Sequence, residues 1–206
     1  MNDTPTALPG SSRSKYAQWW PILVGPVALV ILILTAGQFG GVTVKEIAEP
    51  ISPPILGLAT VIFALRAWRT DNPLCWVLAG LGFAFTCREI HFTGTNTGIK
   101  VALAILIVWT ILWRKLLIEA ARNIPHSRWV AASALTYTLS KMVEKRLFRA
   151  GRLGIIPNED AIHITLEEGM ELVAHLLLLV AAVMGAWKAW GGEDQVPEPK
   201  SEAISE

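Results

Sequence analysis

Charged side chains are scarce in this chain. Asp, Glu, Lys and Arg make up 17% of its 206 residues, where an ordinary soluble domain carries about 25%. With 52% hydrophobic residues and a mean hydropathy of +0.45, that shortfall argues against a soluble domain and suits a single bundle of membrane helices. Lysines and arginines exceed acids by only one, and no basic cluster is large enough to neutralise many phosphates, so nucleic acid is excluded as a partner. Cysteine is nearly absent. Cys75 and Cys87 fall twelve residues apart on one predicted helix, about 18 Å at the helical rise, so they cannot pair with each other. They say nothing about redox compartment. Familiar catalytic signatures are missing too: there is no H-E-x-x-H helix, no G-x-S-x-G elbow and no Ser/His/Asp arrangement. Gly80 to Gly82 is a close-packing feature and no phosphate loop. No internal repeat is evident.

What is present is a succession of apolar runs. Residues 19–39 are long enough to cross a hydrocarbon core of about 30 Å. Arg13 and Lys15 precede that run as the basic region of a signal peptide would, but no clear A-x-A cleavage site follows. The segment 40–54 holds Lys45, Glu46, Glu49 and three prolines, and reads as a loop. Further spans are expected at about 55–68, 74–92, 99–118 and 129–146. The last runs from Ile164 through Val183 to about Trp190. The fold class is therefore all-α, an integral membrane bundle of about six transmembrane helices over residues 19–190, with tails at 1–18 and 191–206 that read as disordered.

Two patterns orient this bundle. Arg13, Lys15, Arg66, Arg69, Arg114, Lys115, Arg122, Arg128 and Lys188 share one side, which the positive-inside rule assigns to the cytoplasm, with both termini there and the bundle in a cytoplasmic (inner) membrane. The loop carrying Lys145, Arg146, Arg149 and Arg152 runs against that bias. Tryptophan, whose amphipathic ring prefers the interface, falls at the same cytoplasmic ends: Trp19, Trp20, Trp68, Trp76, Trp113, Trp129, Trp187 and Trp190, with Trp109 one turn deeper.

The last span carries the chemistry. At about 100° per residue, Glu168, Glu171 and His175 fall within about 60° of one another, with Glu167 some 40° beyond Glu171. Each charge at membrane depth costs about 2.5–3.5 kcal/mol, so such groups face partners or water. Up-and-down connectivity brings candidate partners to the same, outward end: Arg88 and Glu89 close span three, Lys100 opens span four, and Tyr137, Lys141 and Glu144 share a face of span five. Lys141 could pair with Glu168 or Glu171. The set Arg88, Glu89, Lys141, Glu144, Glu167, Glu168, Glu171 and His175 forms the candidate ligand site, expected to take a small ion or polar ligand. The competing explanation is an ion network that only locks the helices together. His175 is either a neutral histidine bonded to a neighbouring helix, or a proton relay or metal ligand with Glu171. Glu168, Glu171 and His175, with Glu89, would make an oxygen-rich set suited to a divalent metal such as zinc, manganese or iron. An intramembrane metal-dependent hydrolase, or a sensor or assembly subunit with a membrane partner or a second copy, are the alternative readings.

The segments REIHF at 88–92, LSKMVEKR at 139–146 and LEEGMEL at 166–172 resemble uncharacterised bacterial polytopic inner-membrane proteins over about spans three to six. The resemblance implies location in an inner membrane and carries no activity. A more distant comparison, with the membrane hydrolases that include alkaline ceramidases, implies seven spans and a histidine-held zinc with a nearby serine and aspartate. This chain departs from it: too few histidines lie in the apolar spans, and the paired terminal histidine motif is missing.

Overall fold

The computed structural model describes residues 19–39, 41–90, 95–122, 127–148 and 159–185. They are helical almost throughout, with no strand among them, as the apolar periodicity implies. A 3-10 turn, Trp20–Leu23, leads into α1 (Val24–Phe39). There follow α2 (Gly41–Thr70), α3 (Pro73–Glu89), α4 (Thr95–Leu112), α5 (Arg114–Arg122), α6 (Ser127–Glu144) and α7 (Glu159–Val183). The expected tails lie outside the described residues, as do His91, His126, Trp187, Lys188 and Trp190.

Three local signals set the helix ends. Asp71 adopts φ 51°, and its N–H bonds back to the Ala67 carbonyl, which closes α2. Asn72 then caps α3 by accepting from the Leu74 N–H at 2.9 Å, and Pro73 takes the first helical position, where no N–H is needed. The turn read at 66–73 is thus confined to Asp71 and Asn72. At the end of α6, Arg146 has φ 52°, the Leu147 N–H reaches the Met142 carbonyl, and the Arg146 N–H reaches that of Val143. This is a Schellman motif built on a non-glycine residue.

Two elements differ from the sequence reading. The 40–54 segment is the first half of α2, with Pro50, Pro53 and Pro54 inside the helix. Those three positions fall within about 100° of one another around the axis. The missing N–H groups therefore gather on one side, while the packing of α2 on α3 and α7 holds the rest of the helix. The fourth span is broken: α4 and α5 meet at an angle of 83° next to Trp113. In α5, Leu117 and Ala120 are buried where the helix packs beside α3, while Arg114, Lys115 and Glu119 stay exposed. The basic connection after span four is thus an amphipathic helix turned across the bundle end.

α7 is the central helix, packed against α1, α2 and α6; α2 in turn packs on α3, and α3 carries α4. Leu56, Ala59 and Phe63 of α2, Leu78 and Ala79 of α3, and Leu178, Ala181 and Ala182 of α7 form the main core. Close approach between α2 and α3 depends on Gly82, where a Cβ would lie 2.6 Å from the Thr60 hydroxyl. A smaller cluster of Val143, Phe148 and Leu166 joins α6 and its terminal turn to α7.

By length and composition, one helix of the described residues, Val44–Thr70 within α2, is apolar and long enough to cross a membrane; counting the bent α4–α5 pair makes two. The other expected spans fall short for separate reasons. α1 and α3 have 16 and 17 residues, and α6 and α7 carry the charged and polar side chains on which the site rests.

A charged cluster joining three helices

Helical spacing places two side chains of the site on each of three helices, in two layers. Phe85 and Arg88 lie three residues apart on α3, Tyr137 and Lys141 four apart on α6, and Glu171 and His175 four apart on α7. Such pairs sit one above the other on a helix face. Because α7 runs opposite to α3 and α6, Arg88, Lys141 and Glu171 meet at one level, and Phe85, Tyr137 and His175 meet about 6 Å deeper.

Glu171 is the centre of the upper layer. Its side chain is only 9% exposed, and its Oε1 accepts from Arg88 Nη2 at 3.1 Å and from Lys141 Nζ at 3.0 Å. Two cations from separate helices therefore converge on one buried carboxylate. Lys141 also pairs with Glu144, whose other oxygen accepts from Lys145 at 3.1 Å. Arg88 and Lys141 remain 35% and 43% exposed, so the open side of the cluster presents its cations, with the carboxylate of Glu171 beneath them. Desolvation of Glu171 is offset by these two charge-assisted bonds.

The lower layer is aromatic. Phe85 and Tyr137 have ring centroids 4.8 Å apart, and Tyr137 and His175 5.5 Å. His175 is 2% exposed. Its Nδ1 and the Tyr137 hydroxyl are both buried and have no hydrogen-bond partner among the described residues. Below them the Phe63, Leu78 and Leu178 core closes the way inward. Ser133 binds α6 to α7 in the same region by donating to the Ala174 carbonyl at 2.9 Å.

Of the residues expected at the site, Arg88, Lys141, Glu144 and Glu171 are brought together, with His175 directly beneath. Lys141 chooses Glu171 over Glu168. Glu168, one turn earlier on α7, is part-buried and makes no ion pair among the described residues. Glu167 instead faces His163, at 3.7 Å. Glu89 ends α3 beside Arg88 and is part-buried. Lys100 is exposed at the start of α4. Among the described residues no three His, Cys, Asp or Glu side chains are placed to hold a metal ion. Glu168, Glu171 and His175 do not fit one, because the Glu171 carboxylate is occupied by an arginine and a lysine where a metal would have to sit.

Sequence reasoning missed two residues. Tyr137 is placed on the correct face but left out of the site; its signal is a phenol one turn inside Lys141 on the face that carries that lysine. Arg66, read as a cytoplasmic turn residue, is 1% exposed at the opposite end of the bundle. Its Nη1 donates to the Ala182 carbonyl at 3.0 Å and the Ala181 carbonyl at 3.4 Å, satisfying two of the last carbonyls of α7. Gly185 makes room for it: a Cβ there would coincide with the guanidinium.

Comparison with protein-family models, with curated proteins and with solved structures finds no match. The functional reading therefore rests on the geometry of the cluster.

Proposed function

We propose that this chain is a multi-pass membrane protein whose α3–α6–α7 cluster, open toward the outer side, binds a small ion or polar ligand. Two observations support the membrane reading. Only 28% of the most apolar window of α2 is buried, where the core helix of a soluble protein would be mostly covered. Exposed Trp19, Trp20, Trp68, Trp76 and Trp113 all fall at the helix ends opposite the charged cluster, as interfacial tryptophans would.

The observation that carries the ligand reading is Glu171 itself. It is a buried carboxylate shared by cations from two other helices, with polar atoms one turn deeper that have no partner among the described residues. In this scheme Arg88 and Lys141 hold Glu171 until a ligand competes for it, and His175 lies one turn below. Binding and passage of protons or ions use the same groups. The opposing observation is that Glu144, Lys141, Glu171 and Arg88 satisfy one another, which an ion network locking three helices would also do.

Purified protein in proteoliposomes decides between them. Flux of protons, sodium or chloride is followed by indicator dyes, and thermal stabilisation by the same ions, acetate and phosphate is measured in detergent. The wild type responds to at least one ion, and Glu171→Gln or Lys141→Ala loses that response while still inserting. A wild type with no response, or variants that lose only folded protein, would leave the locking network as the role of the cluster.

A further inference from the structure

The upper and lower layers of the cluster leave complementary groups unused. Hydrogen bonds among the described residues engage only Nη2 of Arg88, so its Nε and Nη1 edge, on a side chain 35% exposed, has donors to spare. Lys141 uses two of its three protons, on Glu144 and Glu171. What these donors lack is an acceptor, and the planar fork of arginine suits a carboxylate or phosphate. One turn deeper, on facing helices, the Tyr137 hydroxyl and His175 Nδ1 are buried without partners among the described residues. A hydroxyl both donates and accepts, which suits two polar side chains whose rings stand 5.5 Å apart. Buried polar groups left unsatisfied cost about 1–3 kcal/mol each, so a site that keeps two of them is arranged for something that fills it.

We infer that the ligand is a small organic anion bearing a hydroxyl group, its charge held by Arg88 and Lys141 and its hydroxyl held between Tyr137 and His175. Tyr137 and His175 are then the specificity-determining residues. The inference rests on the cluster being a ligand site, and it adds the chemical class. The layer spacing of about 6 Å along the helices excludes a hydroxyl on the carbon next to the acid group, which lies too close to the charge. It favours a hydroxyl at the far end of a three- or four-carbon chain. The shared chemistry covers carboxylates and phosphate monoesters.

The test is thermal stabilisation and calorimetric binding of the full chain in detergent with matched pairs: butyrate against 4-hydroxybutyrate, and propyl phosphate against 3-hydroxypropyl phosphate. 2-Hydroxybutyrate serves as the position control. The terminal hydroxyl is expected to tighten binding about tenfold, the value of one well-placed hydrogen bond to an otherwise unsatisfied group. The pair with the larger response tells carboxylate from phosphate. Tyr137→Phe, which keeps the ring packing against Phe85, removes that preference. Arg88→Gln weakens both members of a pair. Plain anions that bind with no gain from the hydroxyl overturn this inference and leave the ligand site standing. So does a preference that survives in Tyr137→Phe, or one shared equally by 2-hydroxybutyrate. No stabilisation by any of these anions overturns the anion class, and the ion-response assay above then separates that result from failure of the ligand site itself.

Discussion

Replacing Glu171 by glutamine removes one charge and preserves the shape of the side chain. The carboxylate is nine-tenths buried and accepts at 3.1 Å and 3.0 Å from two cations. A hydrogen bond to a charged group contributes about 1.5–3 kcal/mol when buried. Arg88 and Lys141 are each more than a third exposed, and solvent screening draws such pairs toward the surface value of about 0.2–1 kcal/mol. The glutamine oxygen can still accept from one of them. Together these put the loss at about 2–4 kcal/mol. Glu144→Gln, three residues from Lys141 on the same helix and more exposed, should cost no more than about 0.5 kcal/mol. Unfolding in detergent by heat or graded SDS gives both values, and a cycle with Arg88→Gln isolates the pair. A coupling of about 1–2 kcal/mol between Arg88 and Glu171 is expected, in the range found for groups in one network. Additive effects, or a Glu171→Gln protein as stable as the wild type, would refute the claim that Glu171 joins α3 to α6 and α7.

Four further outcomes follow from other parts of the fold. Gly185→Ala places a methyl group on the Arg66 guanidinium, which must swing aside, and should destabilise by about 1–2 kcal/mol through loss of its bonds to the α7 carbonyls. Gly57→Ala, in the interior of α2 with open space where its Cβ would go, should instead stabilise by about 0.5–1 kcal/mol; chemical or thermal unfolding of the two variants gives opposite signs. Ser133→Ala removes the 2.9 Å bond to the Ala174 carbonyl and should cost about 1 kcal/mol, read in the same assay. For the orientation of the bundle, single cysteines replacing Lys145 and Lys115 are labelled with a membrane-impermeant maleimide in intact cells and after permeabilisation. Lys145→Cys reacts in both and Lys115→Cys only after permeabilisation; the reverse order would invert the assignment of sides.

The helices and the centre of the site were legible because they rest on one-dimensional periodicity. The 3.6-residue period puts Glu171 and His175 on one face, and the i, i+4 step from Tyr137 to Lys141 aims the lysine at α7. Up-and-down order alone then brings Arg88 to the same end. What could not be read depends on contacts distant in sequence. Lys141 takes Glu171 over Glu168 because of how α6 and α7 sit against each other, which neither helix encodes alone. The burial of Arg66 depends on the α7 carbonyls more than a hundred residues away. Pro50, Pro53 and Pro54 read as helix breakers because local propensity, about 3 kcal/mol per interior proline, takes no account of the tertiary packing that holds α2. The break at Trp113 has no proline or glycine to announce it.

α7 is fastened at two points by cations that belong to other helices. Arg88 and Lys141 grip Glu171 at its middle, and Arg66 grips the carbonyls of Ala181 and Ala182 at its C-terminal end. About ten residues, or roughly 15 Å of helix, separate the two fastenings, and nothing between them is softer than a hydrogen-bonded helix. A rigid rod held at two points keeps its register with both, so moving α7 along its axis works against Arg88, Lys141 and Arg66 together.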